Sequence, residues 1–226
     1  MALQSFGDQR ILFYCAFCGG GTGTRDHCPS RVFLDPPFPD DLPVVPACRP
    51  CNANFSADEQ YLACLLACVL AGSTDPEEIP RISIKKTLEH SAALRARIEN
   101  SRSINGDNVV FAAEQQRVNS VITKLAQGHA LFELHEPRPT DPDIVWAVPL
   151  SLLSEEELLA FEGPDNSAVW PEVGSRAMQR LVEGEGPDQP WIVVQPSMYR
   201  YLVSQNSGTT VHIVIQEYLA GYAHWD

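Results

Sequence analysis

The chain has 226 residues, of which 44% are hydrophobic, so it is long enough for one large domain or two modest ones. No apolar run reaches the ~18 residues of a membrane-spanning helix, and Met1–Asp8 lacks the basic and apolar regions of a signal peptide. The 7 cysteines include two C-x-x-C pairs, which fit a reducing compartment better than a disulfide scaffold. The sequence therefore predicts a cytoplasmic protein without a membrane segment.

The net charge of −13 argues against a protein that binds nucleic acid through its overall field, because such proteins are usually basic. The acidic residues are unevenly distributed, however. Residues 131–226 hold 15 acidic and 4 basic side chains, a net charge of −11, whereas residues 1–57 and 58–130 each carry −1. The acidic character therefore belongs to the C-terminal part, and the rest of the chain is close to neutral.

The N-terminal part of the chain contains the two C-x-x-C pairs, Cys15/Cys18 and Cys48/Cys51. In a tight turn, cysteines spaced i, i+3 present both sulfurs on one side, and two such turns close a site. Four thiolates in a tetrahedron are a ligand set of structural zinc, which we predict here. The Gly-rich segment 19–24 lacks the Lys-Ser/Thr of a P-loop, which favours a turn over a phosphate cradle.

A structural zinc site has no need of Asp26-His27 between the cysteine pairs, nor of Asn52 directly after the last cysteine. The order C-x-x-C, Asp-His, C-x-x-C-Asn resembles the zinc-containing HNH (ββα-metal) endonucleases, over roughly residues 12–70. The resemblance implies a β-hairpin followed by a helix, clamped by zinc at the four cysteines. It also implies a second, catalytic divalent ion, with His27 as the general base and Asp26 and Asn52 as ligands of that ion.

The chemistry of these residue types agrees with the implied roles. Successive side chains of a strand face opposite ways, so one of Asp26 and His27 can face a metal ion while the other faces an attacking water. A carboxylate and an amide oxygen are hard ligands, suited to Mg²⁺ or Mn²⁺ rather than to zinc. A histidine with an ordinary pKa of ~6.5 is largely neutral at physiological pH, as a general base requires. The middle asparagine of the family is missing, and Asp41 is its nearest polar substitute.

Basic side chains near these motifs are candidates for contacts with phosphate groups. Arg25 and Arg31 flank the Asp-His pair, and arginine forms bidentate contacts with phosphate. Lys85 and Lys86 lie in a segment with helical spacing, together with further arginines. Both groups can equally be solvated surface residues, and the sequence leaves the two interpretations open.

The remaining chain alternates helical and strand patterns. An almost wholly apolar run predicts a buried helix over residues 58–71, capped at Ser56, in which Cys64 and Cys68 are core residues rather than metal ligands. The last two predicted strands are expected to pair as a hairpin. The further predicted helices cover 81–100, 110–127, 154–163 and 171–183, and the predicted strands cover 130–135, 144–148, 191–194, 199–205 and 210–218.

The predicted fold class is α+β. It comprises an N-terminal zinc-clamped ββα-metal (HNH) module, then helices, then a C-terminal mixed α/β region with an antiparallel hairpin. The break at Gly72–Pro76 divides the chain into residues 1–75, the zinc-bound nuclease module, and residues 76–226, a helical connector and an acidic α+β region whose role does not follow from the sequence.

Two functions fit these expectations. The first is a metal-dependent HNH endonuclease that hydrolyses phosphodiester bonds of DNA, with structural zinc and catalytic Mg²⁺ or Mn²⁺. A protein partner would dock on its acidic C-terminal region, as in the effector nuclease of a phage-defence or restriction system. The second is a catalytically inactive, zinc-held adaptor that binds a protein partner through the acidic C-terminal half.

Overall fold

The computed structural model describes residues 12–106, 108–163, 173–184, 191–205 and 208–226. They form a mixed α/β protein. The helices are α1 (Arg49–Ala71), α2 (Ile82–His90), α3 (Ala92–Asn100), α4 (Gln115–Leu134), α5 (Glu155–Glu162) and α6 (Arg176–Val182). The strands are β1 (Thr24–His27), β2 (Val44–Ala47), β3 (Arg102–Asn105), β4 (Asn108–Phe111), β5 (Ile144–Pro149), β6 (Ile192–Gln195), β7 (Tyr199–Gln205), β8 (Thr209–Ile215) and β9 (Leu219–Trp225). Among the helices of the described ranges, none combines the length and apolar character that crossing a membrane requires.

The contacts divide the chain into two compact units. One takes in the described residues of Met1–Asn54 and Ile122–Asp226, and the other is Phe55–Val121. The first contains β1, β2 and the C-terminal sheet, and the second contains α2, α3 and the β3–β4 hairpin. This grouping does not test whether residues 1–75 fold on their own, so the division after residue 75 remains a prediction.

In the first unit, β1 and β2 form an antiparallel hairpin in which Thr24 pairs with Ala47. The helix α1 begins directly after Cys48, so a hairpin and a helix follow one another in this segment. The expectation that a separate helix starts after Ser56 is wrong, because α1 is continuous. Its residues from Tyr61 to Cys68 are buried, and their burial outweighs the local capping signal.

The second unit contains two short helices and a hairpin. The helix expected over 81–100 is interrupted at Ser91, whose backbone (φ −112°, ψ 77°) is not helical, so α2 and α3 are separate. The strands β3 and β4 pair in antiparallel fashion. The prediction of a helix over residues 110–127 is therefore wrong at its start, because residues 110 and 111 belong to β4 and α4 begins at Gln115. All four residues of β3 are exposed.

The C-terminal sheet of the first unit has the strand order β5-β9-β8-β7-β6, with every neighbouring pair antiparallel. Every residue of β8 is buried, so this strand lies at the centre of the core. The expected C-terminal hairpin is confirmed by the pairing of β7 with β8. A Cβ on Gly221 would lie 2.6 Å from Cδ1 of Ile122, so glycine allows α4 to approach β9 closely.

The prediction of a strand over residues 130–135 is wrong, because α4 continues to Leu134. Gly128 suggests a helix end in the sequence, but its role is in packing: a Cβ there would lie 2.6 Å from Sγ of Cys28. Ala130, Leu131 and Leu134 are buried at helical spacing. The apolar run after Gly128 therefore forms part of a helix that packs on the core.

The strand expected over 210–218 is two strands. β8 ends at Ile215 and β9 begins at Leu219, after a turn in which Gln216 and Glu217 have φ of 57° and 46°. Turns with two positive φ values usually contain Asn or Gly. Neither occurs here, so the sequence carries no signal for this turn.

A buried polar group connects α4 to the C-terminal sheet. His129 is fully buried, its Nε2 lies 2.7 Å from the hydroxyl of Tyr199, and its ring stacks on Tyr201 with centroids 3.6 Å apart. One turn further, Glu133 accepts a hydrogen bond from the Tyr201 hydroxyl at 2.5 Å and pairs with Arg180 at 2.8 Å. Burial lowers the pKa of His129 to about 3, so the ring stays neutral in the folded protein.

We expect His129 to make the protein less stable in mild acid. Between its ordinary pKa of 6.5 and the folded value of about 3, the unfolded chain binds a proton that the folded chain does not. The stability from the neutral ring is complete above pH 6.5 and is lost as the pH falls, by up to about 1.4 kcal/mol per pH unit. Urea unfolding at pH 7 and pH 5 should show a loss about 2 kcal/mol larger for the wild type than for His129→Gln.

His90→Gln is the matched control, because His90 is exposed, and it should follow the wild type. Glu133 has the opposite effect on the pH dependence of stability. Burial raises its pKa, although Arg180 and the hydrogen bond from Tyr201 act to lower it, so its contribution to stability is lost as the pH rises. Glu133 is present in the wild type and in both variants, so its effect on stability cancels when they are compared. Parallel pH curves for wild type and His129→Gln would contradict a buried, neutral imidazole.

Candidate metal centre and active site

The sulfur atoms of the two cysteine pairs come together. All four Sγ atoms lie within 4.8 Å of one another, and those of Cys18 and Cys48 are 3.8 Å apart. In a tetrahedral site with Zn–S bonds of ~2.3 Å, the sulfurs are about 3.8 Å apart. Cys15, Cys18, Cys48 and Cys51 are therefore positioned to bind a metal ion, and the arrangement fits structural zinc.

Backbone hydrogen bonds shape both cysteine turns. In the first, Gly19 N donates to the Cys15 carbonyl (2.9 Å) and Cys15 N donates to the Gly20 carbonyl (2.7 Å). Gly19 has φ 68°, which glycine adopts without strain. In the second turn, at the start of α1, Cys51 N donates to Sγ of Cys48 at 3.4 Å. Such N–H donors at a helix N-terminus favour the thiolate form that a metal ion binds.

The pKa values of Cys15 and Cys51 are shifted in opposite directions. Burial acts to raise the pKa of Cys15, but backbone hydrogen bonds at Cys48, Phe17 and Cys18 outweigh it and lower the pKa to about 7. Burial raises the pKa of Cys51, and so do its hydrogen bonds with Cys48 and Cys18. Four thiolates this close repel one another, so a cation is needed to hold all of them ionised.

Asp26, in β1, is paired with a cation of the protein. Its Oδ2 lies 2.7 Å from Nζ of Lys124 on α4, and the two side chains are 12% and 2% exposed. The same Nζ donates to Oγ of Ser30 at 2.9 Å. The expected metal ligand therefore already has a counter-ion.

His27 is the last residue of β1 and is partly buried. Within the described ranges its Nδ1 is buried and makes no hydrogen bond of standard geometry. Burial lowers the pKa of His27 and Arg31 lowers it further, against the opposing effects of Asp26 and the Pro43 backbone. The ring is therefore largely neutral at pH 7, as a general base requires.

Asn52 lies in the first turn of α1 and contacts β1. Its amide nitrogen donates to Oγ1 of Thr24 at 3.3 Å and to the carbonyl oxygen of Arg25 at 3.2 Å. That carbonyl belongs to the peptide bond that precedes Asp26, so the structure brings Asn52 next to the Asp-His segment. Its role as a metal ligand remains a prediction.

The four expected phosphate contacts have different surroundings. Arg25 is exposed on β1, and the guanidinium of Arg31 lies 5.2 Å from the centroid of an aromatic ring. Lys85 pairs with Glu77 at 2.7 Å and Lys86 is exposed, both on α2 of the second unit. Contact of these residues with nucleic acid remains a prediction, and Lys85 would have to exchange its carboxylate for a phosphate.

Lys124 belongs to no motif, and local spacing could not have predicted its place beside Asp26. The only signal is that it follows the buried Val121 by three residues, which puts both on one face of α4. A lysine on a buried helical face needs a counter-ion, but the sequence does not say which carboxylate supplies it.

Asp26 and Asn52 are residues of the types that bind a hard divalent ion. A carboxylate and an amide oxygen are ligands that Mg²⁺ and Mn²⁺ take, and Asn52 lies against the peptide before Asp26. Lys124 opposes such an ion, because its ammonium shares the carboxylate. Binding of Mg²⁺ or Mn²⁺ at this place remains a prediction.

We compared the chain with protein-family models, with curated proteins and with solved structures, and none of them matches. The resemblance to the HNH endonucleases therefore depends on the cysteine pairs, the Asp-His dipeptide and the following asparagine alone.

Proposed function

We propose that the chain is a metal-dependent HNH endonuclease that hydrolyses phosphodiester bonds of DNA. One observation supports the proposal above others. The four-cysteine cluster joins the β1–β2 hairpin to the start of α1, with Asp26 and His27 at the end of β1 and Asn52 hydrogen-bonded to that strand. This is the order of elements and side chains that the resemblance implies.

In this proposal His27 removes the proton from the water that attacks phosphorus. Its neutral ring accepts that proton at Nε2, since Nδ1 is buried. Asp26 raises the pKa of His27 and so stabilises the imidazolium that forms after proton transfer. A positioned general base of this kind accelerates hydrolysis by about 10²–10⁴-fold.

Asp26 and Asn52 would hold the Mg²⁺ or Mn²⁺ ion. When bound, the ion supplies a Lewis acid that stabilises charge on the phosphate and on the departing 3′ oxygen. Asp26 offers a carboxylate oxygen. Asn52 offers its amide oxygen, because its hydrogen bonds to β1 use the amide nitrogen. The resemblance implies products with 5′-phosphate and 3′-hydroxyl ends.

A protein partner is part of the proposal because of the charge distribution. The net charge of −11 over residues 131–226 repels DNA at long range, and the exposed Arg25 next to Asp26 offsets little of it. A partner that docks on the acidic region and delivers DNA would overcome this repulsion. The chain would then be the effector nuclease of a phage-defence or restriction system, in analogy to small HNH proteins that act beside a partner.

Cleavage of supercoiled plasmid and of single-stranded DNA tests the proposal. The zinc-loaded protein is incubated with Mg²⁺, Mn²⁺ or EDTA, and nicked and linear products are measured over time. Nicking that requires the divalent ion supports the nuclease. If zinc-loaded protein cuts neither substrate with either ion, the chain is not a nuclease that acts alone. The next experiment is then a pull-down of the partner with residues 131–226.

The Asp26–Lys124 ion pair favours a second candidate, the zinc-held adaptor. A carboxylate that is 12% exposed and paired at 2.7 Å with a buried ammonium is also what a purely structural ion pair looks like. In an adaptor the acidic C-terminal half would bind a protein partner and nothing would be cut. Binding of Mn²⁺ that depends on Asp26 separates the two candidates, because an adaptor has no use for it.

A further inference from the structure

The Asp26–Lys124 ion pair lies inside the proposed active site. The ammonium of Lys124 is 2.7 Å from Oδ2 of Asp26 and 2.9 Å from Oγ of Ser30, and it lies 5.7 Å from the ring centroid of Phe17. Its side chain is 2% exposed. A charge this buried is retained only with close partners, so the ammonium is a fixed feature of the site.

The helix that carries Lys124 is held in place beside β1. Sγ of Cys28 donates to the carbonyl oxygen of Leu125 at 3.3 Å. One turn after Lys124, a Cβ on Gly128 would lie 2.6 Å from the same sulfur. Cys28 follows Asp26 by two residues, so α4 and the end of β1 pack directly on each other. The ammonium cannot leave Asp26 through a shift of the helix without breaking these contacts.

A divalent ion at Asp26 would stand within a few ångströms of this ammonium. Two cations at such a distance repel each other strongly where water is largely excluded. We propose that Lys124 is a resident cation of the active site, which holds one oxygen of Asp26 and thereby weakens binding of the divalent ion at that carboxylate. This inference rests on the proposed function, since it takes Asp26 as the ligand of the ion.

Binding of Mn²⁺ alone to the zinc-loaded full chain tests the inference without any DNA. Lys124→Gln keeps a hydrogen-bond donor for Asp26 and Ser30 but removes the charge. We expect it to bind Mn²⁺ at least about tenfold more tightly than the wild type, measured by the electron paramagnetic resonance signal of free Mn²⁺. Lys124→Arg, the matched control, keeps the charge and should bind as weakly as the wild type.

A double-mutant comparison assigns the effect to Asp26. In an Asp26→Asn background, Lys124→Gln should give no tightening, because the carboxylate that the two cations share is gone. Equal Mn²⁺ affinity of wild type and Lys124→Gln would overturn the inference, provided both keep their zinc and melting temperature. Tightening that persists in the Asp26→Asn background would overturn it as well.

A measurement on the wild type covers the case in which Lys124→Gln does not fold. The chain has three lysines, and the other two lie on α2, so only three ammonium ¹⁵N resonances have to be assigned. On titration with Mg²⁺, the Lys124 resonance should move and saturate together with Mg²⁺ binding, while those of Lys85 and Lys86 stay fixed. A Lys124 resonance that does not respond while Mg²⁺ binds would overturn the inference.

The outcomes separate this inference from the proposed function. Metal-dependent cleavage, together with identical Mn²⁺ affinity of wild type and Lys124→Gln, would reject the role of Lys124 and leave the nuclease standing. If neither protein binds Mn²⁺ or Mg²⁺, both are rejected. Tighter binding by Lys124→Gln without cleavage of any DNA would support the competition and reject the autonomous nuclease.

Discussion

Replacing Cys48 with serine should strip zinc from the protein and unfold the N-terminal hairpin segment. Sγ of Cys48 lies 3.8 Å from that of Cys18 and accepts a hydrogen bond from Cys51 N, so it is at the centre of the cluster. Binding of structural zinc contributes about 10–16 kcal/mol in zinc-finger peptides, as much as the whole stability of a typical domain. Zinc per chain and the thermal unfolding curve measure the effect.

Cys64→Ala is the matched control for this variant. Cys64 is buried in α1 and lies outside the four-cysteine cluster that the described residues form. Its replacement should lower the stability slightly and leave the zinc content unchanged. Full zinc stoichiometry and an unchanged melting temperature in Cys48→Ser would show that the four cysteines are not the zinc site.

The four-cysteine cluster could be predicted from the sequence because local geometry places its members. Each C-x-x-C pair forms one turn, and the hairpin brings the two turns together. The same holds for the cap of α5, where Oγ of Ser154 accepts a hydrogen bond from Glu157 N and the Glu157 carboxylate accepts one from Ser154 N. Where a few neighbouring residues determine the structure, their pattern predicts it.

Features that depend on distant packing could not be predicted in this way. Gly128 has the signature of a helix end, yet it lies inside α4 because the thiol of Cys28 needs the space of its missing side chain. The counter-ion of Asp26 comes from the same helix, and nothing in the spacing links Lys124 to β1. The placement of the four cysteines was therefore predictable from the sequence, and the ion pair of Asp26 was not.

Replacing His27 with alanine should reduce metal-dependent nicking of supercoiled DNA by about 10²–10⁴-fold. The lowered pKa keeps the ring largely neutral at pH 7, and in the proposed reaction Nε2 takes the proton from water because Nδ1 is buried. His27 is only partly buried and lies outside the cysteine cluster, so the variant should keep its zinc. Initial nicking rates with enzyme in excess over plasmid measure the loss.

Two further proteins make the result specific for proton transfer. His90→Ala removes an exposed histidine whose Nδ1 lies 2.6 Å from the Lys86 carbonyl, and it should cut like the wild type. In His27→Ala, added imidazole should restore part of the rate, because a free base can occupy the space of the lost ring. A purely structural role for His27 predicts no such rescue. Nicking that is equal in wild type and His27→Ala would exclude His27 as the base and trace the activity to another residue or to a contaminant.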